Sequence, residues 1–200
     1  MYKGLDISYW QGINIDWNKV KSQVDFVYIK ASEGSTRIEP YALSQATGAR
    51  NAGVKIGYYH FAKPAIGTGA DEANFFIQKA LLVKPAADLI HVLDVEVNPN
   101  NLTAAQITKW IEDFYSAMKA AGHQKLMLYS YQPFFDQWLQ PSSILADTRL
   151  WLACYNPTPR IPKGWGNYDV WQYTQKGQVQ GIQGSVDLNT CEQIPLANYL

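Results

Sequence analysis

Residues 149–188 read RLWLACYNPTPRIPKGWGNYDVWQYTQKGQVQGIQGSVDL, and this stretch decides the fold. Residues 149–154 (RLWLAC), 169–174 (DVWQYT) and 185–188 (SVDL) have the β-branched and aromatic character of strands. The segments between them hold Pro157, Pro159, Pro162, Gly164, Gly166, Gly177, Gly181 and Gly184, which leaves little room for a helix. Upstream the pattern differs. Strands are predicted at 3–8 (KGLDIS), 25–31 (DFVYIKA), 54–61 (VKIGYYHF), 89–95 (LIHVLDV) and 125–130 (KLMLYS), with amphipathic stretches between them. One predicted helix covers 40–51 and stops at Gly53. A second covers 69–83, with Ala73, Phe76, Ala80 and Val83 on one face, and ends at Pro85. A third opens at Thr103, a suitable N-cap, and carries the apolar stripe Ile107, Ile111, Phe114 and Met118 before Gly122. Near-continuous apolar strands alternating with helices imply an α/β protein with a parallel sheet. Five β/α units followed by three strands without helices imply an irregular TIM-like barrel. A doubly wound open sheet is the rival, and no glycine fingerprint follows the first strand to support it. Residues 1–200 are expected to form a single catalytic barrel domain with no wall-binding module.

Composition narrows the function. Seventeen basic and 17 acidic residues cancel, which argues against a nucleic-acid partner or a polybasic membrane anchor. No apolar run is long enough to span a bilayer, and a monomer is expected. Cys154 and Cys191 would lie on next-nearest strands, roughly 9.5 Å apart, too far for a disulfide, so free thiols are expected. The unusual feature is the 7 Trp and 13 Tyr, which suggest either a large core or a surface that stacks on flat apolar ligand faces.

In a barrel of this class chemistry belongs at the C-terminal strand ends. Those ends carry Asp6, the run from Lys30 to Glu33, His60, Asp94, Glu96, Tyr129, Tyr155, Gln172 and Asp187. Asp94 and Glu96 are two apart on one strand end and face the same side, with Cα atoms about 6.6 Å apart. Asp6 and Asp187 become neighbours when the first and last strands meet. Four carboxylates at one mouth repel one another, which keeps at least one protonated and available as a general acid; no cation is expected to compete for them. Neither a metal site nor a cofactor is expected: the three His include no HExxH pair, His91 faces away from Asp94 as a satisfied packing residue, and His60 alone at the mouth is a poor ligand set. No GxSxG elbow is present. Tyr58, Tyr59, Tyr129, Tyr131, Trp151, Tyr155, Trp171 and Tyr173 fall in or beside strand ends, where alternation turns about half of them inward, and Gln172 would bond sugar hydroxyls. Acids plus aromatics without a metal point to glycoside hydrolysis.

The ordered segments Gly4-Leu5-Asp6-Ile7-Ser8, Trp10-Gln11-Gly12, Tyr28-Ile29-Lys30-Ala31-Ser32-Glu33-Gly34, Gly57-Tyr58-Tyr59-His60-Phe61, Leu93-Asp94-Val95-Glu96, Trp171-Gln172-Tyr173 and Val186-Asp187-Leu188-Asn189 resemble the glycoside hydrolase family 25 (Chalaropsis-type) lysozymes. The resemblance implies a barrel of five β/α units plus three strands. It implies cleavage of the β-1,4 bond between N-acetylmuramic acid and N-acetylglucosamine in bacterial peptidoglycan. It assigns Glu96 as general acid/base, Asp94 as its partner, and Asp6 and Asp187 as the rest of the acidic cluster, with Tyr59 and Tyr129 near the scissile sugar. The Asp-x-Glu pair is similar to that of chitinase-type enzymes, in which the substrate's N-acetyl group attacks the anomeric carbon with retention. The further Asp of the chitinase motif is replaced here by Val92. Another β-1,4-N-acetylhexosaminidase (a glucosaminidase or chitinase) and a non-catalytic glycan-binding barrel remain as alternatives. With no signal peptide at its start, the chain is expected to be an endolysin made in the cytoplasm and released onto the wall, or a trimmed secreted domain.

Overall fold

A strand covered on both faces must be apolar along nearly its whole length, and β2 (Phe26–Glu33) is buried at every position but the last. It belongs to a sheet that closes on itself in the computed structural model, which describes residues 1–82 and 84–195. In that sheet β1 (Tyr2–Ile7), β2, β4 (Lys55–Phe61), β5 (His91–Asp94), β6 (Leu126–Tyr131), β7 (Arg149–Ala153) and β8 (Val170–Gly177) pair in parallel, neighbour to neighbour. A last strand, β9 (Val186–Cys191), lies between β8 and β1 and completes an eight-stranded barrel. The two-residue β3 (Arg37–Ile38) only extends the outer end of β2 as a hairpin.

Helices follow the first five barrel strands. They are α1 (Trp17–Val20), α2 (Ala42–Ala52), α3 (Gly69–Phe75), α4 (Ala104–Ala120), and the pair α5 (Gln132–Trp138) and α6 (Ser143–Ala146). Gly53 stops α2 in the left-handed conformation at φ 82°. Thr103 caps α4 in a reciprocal box with Gln106, and Ile107, Ile111, Phe114 and Met118 are buried against the barrel. The helix expected over 69–83 changes character midway: α3 runs into a π-helical turn, Phe76–Leu81, and Val83 lies outside the described residues.

Two expectations need correction. The sheet is not wholly parallel, because β9 runs antiparallel to both of its neighbours. Residues 178–185 connect β8 to β9 without a helix, and a parallel return needs a crossover of a dozen or more residues. The last strand is also longer than predicted. It extends to Cys191, which therefore sits within the sheet opposite Tyr2. Cys154 and Cys191 are both free thiols.

Side chains inside the barrel form a separate core of Phe26, Tyr28, Leu89, Ile90, Val92, Met127, Trp151, Val170 and Cys191. Rings as large as those of Phe26 and Tyr28 fit only because the flanking strands have no side chain at the same level. A Cβ at Gly4 would fall 2.2 Å from Phe26 Cζ, and one at Gly57 would fall 2.3 Å from Tyr28 Cε1 and 2.9 Å from Leu89 Cβ. Gly57→Ala should therefore destabilise the barrel by about 1–3 kcal/mol through overpacking. Thermal unfolding should show a loss of about 2–4 °C per kcal/mol, and an unchanged Tm would show that the interior has slack at this level.

Candidate active site

Closure of the barrel by β9 sets the first pair of acids. Asp6 on β1 and Asp187 on β9 are directly paired residues. Asp187 reaches the mouth as the second residue of a reversed strand, not as the C-terminal end of a parallel one. Asp94 ends β5, and Glu96 lies two residues beyond it. All four line one cleft of about 200 Å³ at the mouth, together with Ser8, Trp10, Lys30, Tyr59, Phe61, Tyr129 and Trp151.

Asp6 is the most constrained of the four. Its Oδ1 accepts from Asn189 Nδ2 at 2.7 Å and from Gln172 Nε2 at 3.1 Å. Burial pushes its carboxyl well above the usual range, and the adjacent Asp187 charge pushes in the same direction. Asp187, half-buried, is raised by burial, with the neighbouring Asp6 carboxyl partly offsetting that rise. Asp94 is 5% exposed, and its Oδ1 is buried without a partner among the described residues. Burial and then Glu96 raise it well above the carboxylate range. Glu96 is half-buried and is raised by burial, then by Asp187. The cleft thus holds one acid open to a ligand, Glu96, beside a deeply buried one, Asp94.

The expectation that no cation competes for these acids fails. Lys30, itself buried, lines the cleft, pairs with Glu33 Oε2 at 2.7 Å, and lowers both Asp94 and Glu96. Strand alternation gave no warning of it, because residues 30 and 33 of a regular strand face opposite sides.

The aromatic positions divide. Tyr59 and Tyr129 lie on the cleft wall, both phenols held neutral by burial and the surrounding acids. Trp151 forms the floor, tilted against Tyr28 and edge-to-face with Tyr129 at centroid distances of 4.8 and 4.9 Å, with its Nε1 donating to Asn189 Oδ1 at 2.8 Å. Tyr155 is exposed beside the cleft and donates to Gln172 Oε1 at 2.9 Å. Gln172 does not offer itself to sugar hydroxyls: it is 1% exposed, accepts from Tyr129 at 3.0 Å as well as from Tyr155, and spends its amide on Asp6. Trp10 and Phe61 line the cleft and were not among the expected site residues. Trp10 carried a signal, since it follows the first strand within a few residues. At 76% exposure it stands against Tyr9, ring to ring at 4.4 Å, on a turn capped by Ser8.

His60 does not reach the mouth, whereas His91 is the outward-facing packing residue expected, short of one hydrogen-bond partner. His60 points away from the mouth and is wholly buried on the outer face, with Nδ1 2.8 Å from Ser32 Oγ and Nε2 2.9 Å from Glu72 Oε2. His91 packs outside the barrel against Tyr58, Phe76 and His123, but its Nδ1 is buried without a partner among the described residues. Burial, with His123 adding to it, lowers its pKa to about 3, so it is a neutral packing group.

A family model, Glycosyl hydrolases family 25, matches residues 5–182. Lysozyme M1 of Streptomyces globisporus is 33% identical over 199 residues, covering 94% of this chain and 66% of that protein. The autolytic lysozyme of Clostridium acetobutylicum is 35% identical over 189 residues, covering 94% of this chain and 55% of that one. The chain thus spans less than two thirds of the length of these curated relatives. The crystal structure of a bacterial lysozyme from Streptomyces coelicolor superposes with a TM-score of 0.88 at 31% identity, covering 96% of this chain and 93% of the other.

The acidic cluster costs stability in a pH-dependent way. Glu96 holds its proton more tightly folded than unfolded, so stability falls as pH rises from the ordinary carboxylate range through the raised folded value. Glu96→Gln removes this cost. Its Tm should exceed that of wild type at neutral pH, by about 2–4 °C per kcal/mol recovered. The gain should vanish below pH about 4, where the carboxyl is protonated in both states. Equal Tm values across the whole range would mean that Glu96 ionises without hindrance.

Proposed function

The chain belongs to the glycosyl hydrolases family 25, and from that premise we propose that it hydrolyses peptidoglycan, cleaving the β-1,4 bond between N-acetylmuramic acid and N-acetylglucosamine. The observation that carries this reading is the pairing of a half-buried Glu96 with a buried Asp94 in a cleft walled by Tyr59, Tyr129 and Trp10. Aromatic faces suit the C–H faces of pyranose rings. Its similarity to Lysozyme M1 and to an autolytic lysozyme supports the same substrate and an action on the bacterial wall.

In this mechanism Glu96, whose protonated form burial and Asp187 favour, donates its proton to the leaving glycosidic oxygen. The substrate's N-acetyl carbonyl oxygen attacks the anomeric carbon as that bond breaks, forming an oxazolinium ion. Asp94 suits the partner role better than that of a nucleophile, since a carboxyl only 5% exposed is poorly placed to reach a sugar carbon. Beside a developing positive charge its ionised form is favoured. Water then attacks the anomeric carbon, giving up a proton to the Glu96 carboxylate and reopening the ring with retention. Asp6 and Asp187 shape the field, Asp6 through the amides of Asn189 and Gln172.

Digestion of purified peptidoglycan, followed by borohydride reduction, tests the bond assignment: muramitol is expected, glucosaminitol would make the enzyme a glucosaminidase, and no new reducing end would leave a binding barrel. Glu96→Gln should keep glycan binding and lose about 10²–10⁴-fold in turnover. No covalent glycosyl-enzyme should be trapped by a fluorinated substrate, and mass-spectrometric detection of one would replace N-acetyl participation with attack by a protein carboxylate. The rate should follow a bell in pH with its optimum below neutrality. Asp187→Asn removes a charge that raises Glu96, so the alkaline limb should move toward acid; a limb that stays in place would separate Asp187 from the acid's electrostatics.

A further inference from the structure

One irregularity of the barrel wall lies beside the active site. In the β2–β4 pairing Lys30 is opposite Tyr59 and Ser32 is opposite His60, so Ala31 has no partner and forms a bulge. Its carbonyl accepts instead from the Glu39 N–H at 3.1 Å. The extra residue changes the alternation beyond it. Lys30 and Glu33, three apart, both face the cleft side with Tyr59 and Phe61, while Ser32 and His60 face outward. Without the bulge, Glu33 would point away from Lys30.

The geometry that results is a held cation. Lys30 Nζ lies 2.7 Å from Glu33 Oε2 and 4.5 Å above the Phe61 ring, and Lys63 Nζ lies 3.3 Å from Glu33 Oε1 on the same ring at 4.8 Å. The two lysines differ in position. Lys30 is 8% exposed and lines the cleft, whereas Lys63 stands largely in solvent. We propose that Lys30 is a positioning residue of this site: its ammonium, turned inward by the bulge at Ala31 and fixed by Glu33, is the countercharge that lets the buried Asp94 ionise beside Glu96, the acid that donates the proton. This rests on the glycosidase reading above.

The titratable groups that share the cleft with Lys30 come from every wall of it. They are Asp6 and Asp187 at the closure, Tyr59, Asp94 with Glu96, and Tyr129, and Glu33 pairs with it from its own strand. Five of these are acids, and the phenols are neutral. Lys30 lowers both Asp94 and Glu96 against this crowd, while Lys63 lowers Glu96. A buried carboxyl with an unpaired oxygen has no other cation to favour its charged form among those acting on Asp94. The role is therefore electrostatic and specific to the pair.

The test compares Lys30→Met, Lys30→Arg and Lys63→Met by kcat/KM against pH on a soluble peptidoglycan fragment. Lys30→Met should move both limbs of the bell to higher pH, with a loss of about tenfold on the acidic limb, where ionisation of Asp94 becomes limiting. Lys30→Arg keeps the charge and should restore both limbs. Lys63→Met should move only the alkaline limb. A Lys30→Met profile that is lower but unshifted, or Lys30→Arg as impaired and shifted as Lys30→Met, overturns the proposal. A second readout needs no turnover: the Asp94 carboxyl carbon, followed by NMR in the free protein, should titrate at higher pH in Lys30→Met than in wild type, and an identical titration overturns the proposal as well. If wild type leaves peptidoglycan intact, the glycosidase reading fails, and the Asp94 titration still decides whether Lys30 is its countercharge.

Discussion

Everything at the mouth of this barrel depends on how the sheet closes. An eight-stranded barrel of parallel strands needs its last strand to return in the common direction, and residues 178–185 are too few to carry it back. The strand therefore returns reversed, and pairs antiparallel with both β8 and β1. In that register Asp187 falls directly opposite Asp6. Two carboxyls brought together at the cleft lose hydration, and burial raises both, the charge of Asp187 adding to the rise at Asp6. The same strand supplies part of the remedy, because Asn189, two residues along on the same face, donates to Asp6 at 2.7 Å.

From Asp6 a polar network spreads through the floor. Asn189 also accepts from Trp151 on β7, Gln172 on β8 joins Asp6 to Tyr129 on β6 and to Tyr155, and Trp151 packs against Tyr28 from β2. The aromatic interior and the acidic mouth are thus one unit, in which large rings fill the barrel and their few polar atoms help hold the acids in place. Buried polar groups are tolerable only when each finds a partner, and Gln172 uses both its carbonyl and its amide in this way. Within the cleft Asp94 differs, with an orphan oxygen among the described residues. Exceptions of this kind cluster where function outweighs stability.

The sequence makes some of this legible and hides the rest for physical reasons. Apolar runs show where strands lie, and the proline- and glycine-rich connections after residue 153 show that no helix covers the last of them. Asp94 and Glu96 can be paired because period-2 alternation works at the end of a regular strand. Direction and register are less visible. The reversal of β9 follows from the length of a connection, not from its composition, so Asp187 could be placed at the mouth for an incorrect reason. The bulge at Ala31 leaves no mark in the residue types, and alternation misjudges Lys30 and Glu33 beyond it. Gln172 looks like a ligand-binding amide from its strand end, but burial depends on neighbours contributed by strands far along the chain. His60 misleads in the same way, since which face of β4 a residue takes depends on a register that only β2 sets.

That register is held from both sides of the wall. On the outside, Ser32, His60 and Glu72 form a buried hydrogen-bonded chain from β2 through β4 to α3, and Glu72 also accepts from the Lys63 N–H at 3.1 Å. On the inside, Lys30, Glu33 and Lys63 surround the Phe61 ring. A one-residue slip would carry a charged lysine into the outer apolar layer and a neutral histidine into the acidic mouth, breaking both sets at once. The bulge is what makes the two sets compatible. Ala31, a small residue whose carbonyl is satisfied by Glu39, takes up the odd residue between Lys30 and Ser32. Each face of the wall is therefore evidence for the other, and the countercharge in the cleft and the polar chain behind it are two consequences of a single inserted residue.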